Sequence, residues 1–324
     1  MRLRRAARGI APLAMLLLLS GGAVAQPVNS APQAGLPPQS TQAWRVAQVP
    51  AMEQQAAQPL QPAQEAASAA PSSPSGDVLR VCADPNNLPQ SNRRGEGYEN
   101  KLAEALARGL GRKVEYYYFP QRMGFVRNTL RLRDDATQTF KCDIIMGVPK
   151  GYELTATTQP YMRSTYALVV PANTELTSLK NPDDLLKLPP ARLKTLRIGA
   201  FARSPGADWL LRNNLLEQAT FYAQQSGDPD ETPATIVEQG FKDKRIDVAI
   251  VWGPVAGYLA SRHHDGSSWH IAPFAHDADI HFDYEIAMGV RFGEAEWKKT
   301  LDDWIATHPD DIKSILTAYQ IPLL

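Results

Sequence analysis

From Asp77 onward, short apolar runs alternate with segments whose apolar residues recur at helical spacing. The run in DVLRVCADP ends at a proline, and YENKLAEALARGLG then places Tyr98, Leu102 and Leu106 on one helical face. Gly111 is the residue type expected just past a helix end. KVEYYYFP, GFVRNTLRLR and CDIIMGVP continue the order as strand, helix and strand. Such alternation builds a parallel sheet with crossover helices, so the sequence predicts an α/β fold.

A second group of strands and helices follows a linker-like section. The strand RSTYALVV is followed by Pro171 and by NTELTSLKNPDDLLKLPPARLK, which predicts a connection. LRIGA, ADWLLRNNLL, ATFYAQQ, TPATIVEQGFKD, DVAIVWG and PVAGYLASRH then alternate again as strand and helix. EIAMGVRF adds a late strand, and we expect the two amphipathic helices after it to pack on the first group. We predict two lobes, with residues 77–170 and 280–324 in lobe one and residues 171–279 in lobe two.

The amino-terminal segment has the three-part pattern of an export signal. Four arginines within the first eight residues precede an apolar run from Ile10 to Leu19 and the small residues Ala23-Val24-Ala25. This pattern predicts a cleavable signal peptide over residues 1–25 and a periplasmic protein. Residues 26–76 are rich in Pro, Gln and Ala, which predicts a disordered linker. No later run is long enough to span a bilayer, so we do not expect an integral membrane protein.

The charge balance bears on the partners. The chain has 34 basic and 34 acidic side chains, and removal of residues 1–25 leaves 30 basic and 34 acidic ones. A mildly acidic protein without a basic run is a poor partner for nucleic acid or for an anionic membrane surface. We therefore expect neither as a partner.

The chain has two cysteines, Cys82 and Cys142. Export places them in an oxidising compartment, where they can form a disulfide, although two buried free thiols in strands remain an alternative. Two cysteines without a nearby histidine leave a zinc site short of ligands. HDADIHFD, residues 276–283, is the one plausible metal-binding segment, and a solvated polar loop is the preferred interpretation. We predict no metal site and no cofactor.

No catalytic motif is evident. The six histidines, from His263 to His308, all lie late in the chain. No serine lies in a G-x-S-x-G motif, and Cys142 has no recognised nucleophile context. We predict that the protein is not an enzyme.

Several segments, in this order, resemble a family. TQPYMRSTYALVV resembles the segment at which type II periplasmic solute-binding proteins, a group that includes solute-binding protein family 3, cross from the first lobe to the second. KRIDVAIVWGPVAGYLA resembles their second-lobe strand and helix. CADPNNLP, GEGYEN, FPQRMGFVRNTL and KCDIIMGVPKGYE together resemble the MoxJ/XoxJ branch, which is associated with quinoprotein methanol and other alcohol dehydrogenases. The resemblance covers residues 77–324 and implies the two-lobed type II fold, with a hinge between the lobes.

Two departures from the amino-acid-binding members concern the ligand. Those members hold the ligand carboxylate with an Arg about nine residues before the Pro-Tyr pair, where this chain has Lys150-Gly151-Tyr152. They hold the ligand ammonium with an acid on the second-lobe strand, where this chain has Trp252. Because both groups that capture a zwitterion are missing, we expect a less charged ligand or none.

Candidate cleft residues lie in the turns after the strands, where ligands bind in open α/β sheets. For Asp84, Asn86 and Asn87, turn chemistry is an equal alternative. Ser204 is both a candidate anion contact and an ordinary helix cap. Trp252 either stacks on a ligand or fills its place, and we favour the first. The full set of candidates is Asp84, Asn86, Asn87, Tyr98, Gln121, Arg122, Tyr152, Tyr161, Arg163, Arg203, Ser204 and Trp252.

The resemblance implies a periplasmic accessory protein that docks to a quinoprotein alcohol or methanol dehydrogenase and assists its maturation. The alternative is the substrate-binding receptor of an ABC transporter, with an ABC permease and a small non-amino-acid solute as partners. In that case the lobes close about the crossings near Tyr166–Val170 and Ile280–Glu285. A metal or lanthanide carrier is the third hypothesis.

Overall fold

The computed structural model describes residues 76–324, apart from 173, 225–227, 229 and 263–268. The predicted signal peptide, all but the last residue of the predicted linker, and His263 and His264 lie outside the described residues. The chain divides into two units, and every described residue belongs to the second, which begins at residue 62.

Strands and helices alternate along the described chain. The strands are β1 (Val78–Ala83), β2 (Asn86–Asn87), β3 (Ser91–Asn92), β4 (Lys113–Tyr118), β5 (Ile144–Pro149), β6 (Ala156–Val170), β7 (Ile198–Phe201), β8 (Ala219–Tyr222), β9 (Val248–Trp252), β10 (His270–Pro273) and β11 (Asp283–Val290). The α-helices are α1 (Tyr98–Gly109), α2 (Phe125–Asn128), α3 (Pro190–Thr195), α4 (Pro205–Arg212), α5 (Pro233–Lys242), α6 (Gly253–Ser261), α7 (Ala295–Thr307) and α8 (Pro309–Ala318). Three 3-10 helices span Glu175–Ser178, Pro182–Lys187 and Leu216–Gln218.

Nine of the strands in the described part of the chain pair in one continuous order. The order is β4-β1-β5-β11-β6-β9-β7-β8, with β10 on β6. β1 pairs in parallel with β4 and β5, and β7 pairs in parallel with β8 and β9. In the middle, β11 is antiparallel to β5 and β6, and β6 is antiparallel to β9 and β10. The predicted α/β class is confirmed.

Strand β6 joins the two groups of strands. Its first part, to Thr165, pairs with β11, and its last part, from Tyr166 to Val170, pairs with β9 and β10. We call the group that contains β1, β4, β5 and β11 the first lobe, and the group that contains β7, β8, β9 and β10 the second lobe. The residue boundaries given above for the lobes stay a prediction.

The carboxyl-terminal helices complete the first-lobe core. Trp297 and Leu301 of α7 and Leu316 of α8 are buried in one apolar cluster with Leu79 of β1 and Leu102 of α1. This packing follows from the apolar spacing on α7 and α8, which leaves one face of each helix to be buried.

Two segments differ from their predictions for identifiable reasons. The helix expected over GFVRNTLRLR ends at Asn128, because Thr129 leaves the helical conformation and its hydroxyl donates to the carbonyl of Phe125 at 2.7 Å. The turn delivers Leu130, which is fully buried, to the core. The connection after Pro171 contains short helices, because Leu176 and Leu185 are buried in the second-lobe core.

Candidate functional site

A cavity of about 150 Å³ lies between loops of the two lobes. The first lobe lines it with the turns after β1 and β4, where the carboxyl ends of two parallel strands meet. The second lobe lines it with the start of α5 and the residues before it. The polar lining residues are Asp84, Asn86, Asn87, Gln121, Arg122, Gln224, Glu231 and Thr232. We call this cavity the cleft cavity.

Asp84 is used by the backbone around it. One carboxylate oxygen accepts the N–H of Asn86 at 2.8 Å, and the other accepts the N–H of Gln121 at 2.5 Å. The Ser91 hydroxyl donates to the Asp84 carbonyl at 3.0 Å. The side chain therefore fixes the turn after β1 to the turn after β4. Two interpretations of Asp84 were open from the sequence, and these bonds correspond to the one in which the side chain stabilises a turn.

The other first-lobe groups also bond within the protein. The Asn87 amide donates to the side-chain oxygen of Gln121 at 3.2 Å. The Arg122 guanidinium donates to the carbonyl of Asp228 at 3.2 Å and so joins the two lobes across the cleft. Five sequence candidates thus meet in one cavity. The second-lobe half was missed, because Gln224, Glu231 and Thr232 belong to a connection without a motif.

Ser204 caps helix α4. Its hydroxyl oxygen accepts the N–H of Ala207 at 3.3 Å, and its hydroxyl donates to the carbonyl of Phe201 at 2.7 Å. Arg203 is exposed, has a left-handed φ of 56°, and its carbonyl accepts from the Gln224 amide at 3.0 Å. The cap is present, and neither residue lines the cleft cavity.

Arg163 lies on the strand that joins the lobes. Its guanidinium donates to one oxygen of Asp283 at 2.6 Å, and His276 contacts the other oxygen at 3.3 Å. The hydrogen bonds from Arg163 lower the pKa of Asp283 from its usual range. Arg163 therefore pairs with β11 and does not line the cleft cavity.

Trp252 and Tyr152 also lie outside the cavity lining. Trp252 is half-buried, and its ring contacts the rings of Tyr166 and Tyr284, with centroids 5.6 and 5.7 Å away. Tyr152 is half-buried against the apolar cluster that contains Cys82 and Cys142. Sequence alone gave no means of identifying these neighbours, because they come from distant strands.

A buried carboxyl group behind the cleft was missed in the sequence. Glu99, in the first turn of α1, is only 7% exposed. A Cβ atom on Gly147 would lie 2.3 Å from its carboxylate oxygen, so only glycine leaves room for this side chain. The buried side chains of Tyr98 and Tyr161 lie in the same part of the core, and the Tyr161 hydroxyl has no hydrogen-bond partner among the described residues. The sequence feature that could have indicated this site is the acidic residue Glu99 directly after Gly97 and Tyr98, at the start of helix α1.

Burial raises the pKa of Glu99 to about 8, and the charge of Asp84 adds to the shift. Near neutral pH the folded protein holds a proton there that the unfolded chain releases, since an unfolded Glu has a pKa of about 4.3. The unfolded state then binds fewer protons, so stability falls as pH rises toward the folded pKa. A neutral Glu99 avoids the cost of a buried charge beside Asp84.

We expect Glu99→Gln to reduce this pH dependence. As pH rises from 5.5 to 7.5, Glu99 should lower the free energy of unfolding of the wild type by about 1 kcal/mol per pH unit. Glutamine does not titrate, so the variant should not show this loss. Urea unfolding at several pH values in this range measures the difference in slope. Glu115→Gln, at an exposed position on β4, is the control and should keep the wild-type slope. Equal slopes for the wild type and Glu99→Gln would contradict the prediction.

The structure joins Cys82 to Cys142 in a disulfide, with Cα atoms 5.3 Å apart. The bridge ties the end of β1 to the residue pair just before β5, inside the apolar cluster of Phe125, Val126 and Leu130. Among residues 76–324 outside the gaps, no group of three or more His, Cys, Asp or Glu side chains is arranged to hold a metal ion. In the segment of residues 276–283, His276 instead contacts Asp283.

The fold is similar to that of a solved periplasmic binding protein. The crystal structure of the periplasmic binding protein XoxJ from Methylobacterium extorquens AM1 is 37% identical to this chain, with a TM-score of 0.60, over 76% of this chain and 99% of that one. The chain belongs to the MoxJ/XoxJ branch of the periplasmic binding proteins. MxaJ from Methlophaga aminisulfidivorans MPT is 26% identical with a TM-score of 0.60, over 76% of this chain and all of MxaJ. No family model matches the chain.

Curated MoxJ proteins agree with this assignment. MoxJ of Paracoccus denitrificans is 36% identical over 91 residues, which are 28% of this chain and only 31% of that protein. MoxJ of Methylorubrum extorquens is 25% identical over 262 residues, which are 76% of this chain and 82% of that protein. The predicted family is confirmed. In the part of this MoxJ/XoxJ-family chain that the structure describes, no helix has the length and apolar character needed to cross a membrane.

Proposed function

We propose that the protein is a non-enzymatic accessory protein of the periplasm, exported by a cleaved signal peptide, which docks to a quinoprotein methanol or alcohol dehydrogenase and assists its maturation. Membership of the MoxJ/XoxJ branch supports the dehydrogenase as partner. The observation that carries the proposal is that Asp84, Asn87 and Arg122, which line the cleft cavity, make hydrogen bonds to other groups of the protein. Because these groups are already hydrogen-bonded within the protein, we expect the protein to act through its surface and not through a ligand in the cleft.

The cleft geometry supports this choice over a solute receptor. The cavity of about 150 Å³ is smaller than the roughly 300 Å³ at which small-molecule sites begin. Both oxygens of Asp84 accept backbone N–H groups, and Arg122 donates across the cleft to Asp228. The sequence also lacks the Arg and the acid with which amino-acid-binding members hold a zwitterion. A solute would have to displace bonds that the protein already makes.

A surface suited to docking lies on the first lobe. Phe292 is 57% exposed and Leu154 is 44% exposed. Arg131 connects them, since its guanidinium lies 6.0 Å from the centre of the Phe292 ring and donates to the Leu154 carbonyl at 2.6 Å. We call these three residues the Phe292 patch. Aromatic and arginine side chains dominate binding energy at protein interfaces, so this patch is the proposed anchor.

Affinity capture from the periplasm of the native organism tests the proposal. The tag belongs ahead of Asp77, because the Leu324 N–H donates to the Arg163 carbonyl and a carboxyl-terminal tag would disturb that contact. We expect the wild type to recover a quinoprotein dehydrogenase and a panel of small solutes to leave its melting temperature unchanged. A shift of several degrees from one solute, with no dehydrogenase recovered, would establish a transport receptor instead.

Phe292→Ala tests the surface. We expect this variant to recover less dehydrogenase by about tenfold, since an interface anchor contributes about 1–2 kcal/mol or more. Phe221→Ala, which removes a 44% exposed ring from β8 of the second lobe, is the matched control and should recover as much as the wild type. Full recovery with Phe292→Ala would show that docking uses another surface.

A further inference from the structure

A second cavity, of about 990 Å³, lies in the second lobe at the edge of the sheet opposite the cleft. Its lining includes Arg197 and Asp247, which directly precede β7 and β9, and Pro171, which directly follows β6. The cleft cavity, by contrast, lies beyond the carboxyl ends of strands. The volume is near the upper end of the range for small-molecule sites, which is about 300–1,000 Å³. We call it the distal cavity.

Aromatic rings form part of its wall. The rings of Phe241 and Trp269 meet edge to face with centroids 4.7 Å apart, and both are half-buried against the second-lobe core. Leu176 and Ile246, which are almost fully buried, continue the apolar wall. Such a wall offers a planar ring both a face and an edge to pack against.

The charged residues of the distal cavity leave an excess of positive charge. Three ion pairs neutralise most of the charged side chains: Arg192 with Glu175, Arg197 with Asp247, and Arg262 with Glu238. Lys242 and Lys244 also line the cavity, are exposed, and make no ion pair with any residue that the structure describes. An apolar wall beside two uncompensated cations is complementary to an anion with an apolar body.

Lys244 occupies a position at which glycine is usual. Helix α5 ends in a paired turn, in which the Lys244 N–H donates to Phe241 and the Arg245 N–H donates to Gly240, at 3.0 and 2.9 Å. Lys244 has a left-handed φ of 55°, as this turn requires. Its carbonyl accepts from the Arg197 guanidinium. The turn fixes the backbone of Lys244 at the cavity edge, and a glycine there would keep the turn while removing the charge.

We propose that the distal cavity binds a small aromatic carboxylate, with its ring against Phe241 and Trp269 and its carboxylate beside Lys242 and Lys244. The ring contact supplies apolar burial, and the two lysines select the anion over a neutral molecule of the same shape. This site is independent of the docking proposed for the first lobe.

Isothermal titration of the full mature chain with 2-naphthoate tests the proposal, and 2-naphthylmethanol serves as the neutral molecule with the same ring. We expect naphthoate to bind at one site, more tightly than the alcohol and less tightly as ionic strength rises. Lys242→Glu with Lys244→Glu should weaken naphthoate binding about tenfold, because two attractive contacts become repulsive. Lys113→Glu with Lys313→Glu makes the same charge change at exposed first-lobe positions and should leave the affinity unchanged.

Two further variants separate the site from the cleft and from folding defects. Lys244→Gly should melt no lower than the wild type, since glycine suits the left-handed turn, yet bind naphthoate about threefold more weakly. Arg122→Ala, in the cleft cavity, should bind naphthoate as the wild type does. The proposal is overturned by no binding at millimolar naphthoate, by equal affinity for the alcohol, or by wild-type affinity in the double charge reversal.

Discussion

Loss of the Cys82–Cys142 disulfide is expected to lower the free energy of unfolding by about 4 kcal/mol. The two cysteines are 60 residues apart in the sequence, so the bridge removes much of the loop freedom of the unfolded chain. Both sulfur atoms are buried in an apolar cluster with Phe125, Val126 and Leu130, so reduction leaves two thiols in suitable surroundings and the folded state keeps its packing. Urea unfolding, followed by circular dichroism with and without dithiothreitol, measures the difference.

The double variant Cys82→Ala with Cys142→Ala is the companion measurement. It should resemble the reduced wild type, with a further small loss for the missing sulfur volume, and should not respond to dithiothreitol. A midpoint that dithiothreitol leaves unchanged in the wild type, under conditions in which free-thiol titration shows complete reduction, would contradict the prediction.

Local sequence signals were sufficient for the elements that carry the first lobe. Helix α1 was predicted because Tyr98, Leu102 and Leu106 recur at helical spacing, and all three are buried in the structure. Strands β1 and β5 were predicted from apolar runs bounded by proline, which is typical of strands buried on both faces. The family prediction used the same segments together with their order, and it is confirmed.

Pairing between distant segments could not be predicted from the sequence. Strand β11 lies between β5 and β6, and its antiparallel register is set by partners more than 100 residues away. Strand β10 is four residues long and pairs with the end of β6, and its sequence has no alternation long enough to indicate a strand. The mainly parallel sheet predicted for each lobe is confirmed, and the positions of the antiparallel strands at the centre could not be derived from the sequence.

The sequence predicted where the residues of the candidate site lie, but it did not predict which hydrogen bonds they make. Asp84, Asn87 and Gln121 follow parallel strands whose carboxyl ends meet, and the structure brings them together as that rule requires. Sequence gave no sign that Asp84 would bond to the backbone of Gln121, or that Arg122 would bond across the cleft. Those bonds decide what the cleft can hold, and they depend on loop conformations that residue types alone do not specify.

A buried charge network beside the disulfide was also missing from the sequence predictions. The Arg291 guanidinium contacts Glu294 at 2.7 Å and Asp143 at 3.2 Å. It also donates to the carbonyls of Leu130 and Cys142 at 3.0 and 2.6 Å. All three charged side chains are less than a tenth exposed. The network connects the end of β11 and the start of α7 to the segment that carries the disulfide.

Replacing this arginine is expected to cost about as much as losing the disulfide. Arg291→Met replaces the guanidinium with a shorter, apolar, unbranched side chain and leaves two buried carboxyl groups without their shared cation. Removing one partner of a buried ion pair typically costs about 3–5 kcal/mol, because the remaining charge is neither solvated nor paired. Burial already raises the pKa of Glu294 against the opposing effect of Arg291, so without the arginine this carboxyl should take up a proton.

The uptake of a proton gives the Arg291→Met prediction a second readout. The deficit should be largest near pH 8 and smaller near pH 5, since a neutral Glu294 no longer needs a cation, while Asp143 keeps its bond to Arg80 at 3.0 Å. Lys299→Met, which breaks an exposed pair with Asp303, is the matched control and should leave the urea midpoint close to that of the wild type at either pH, because solvent screens an exposed ion pair. The urea midpoints of the wild type and both variants, measured at pH 5 and pH 8, test this prediction. A loss for Arg291→Met as small as that of the control would mean that the network repacks around a neutral acid at little cost.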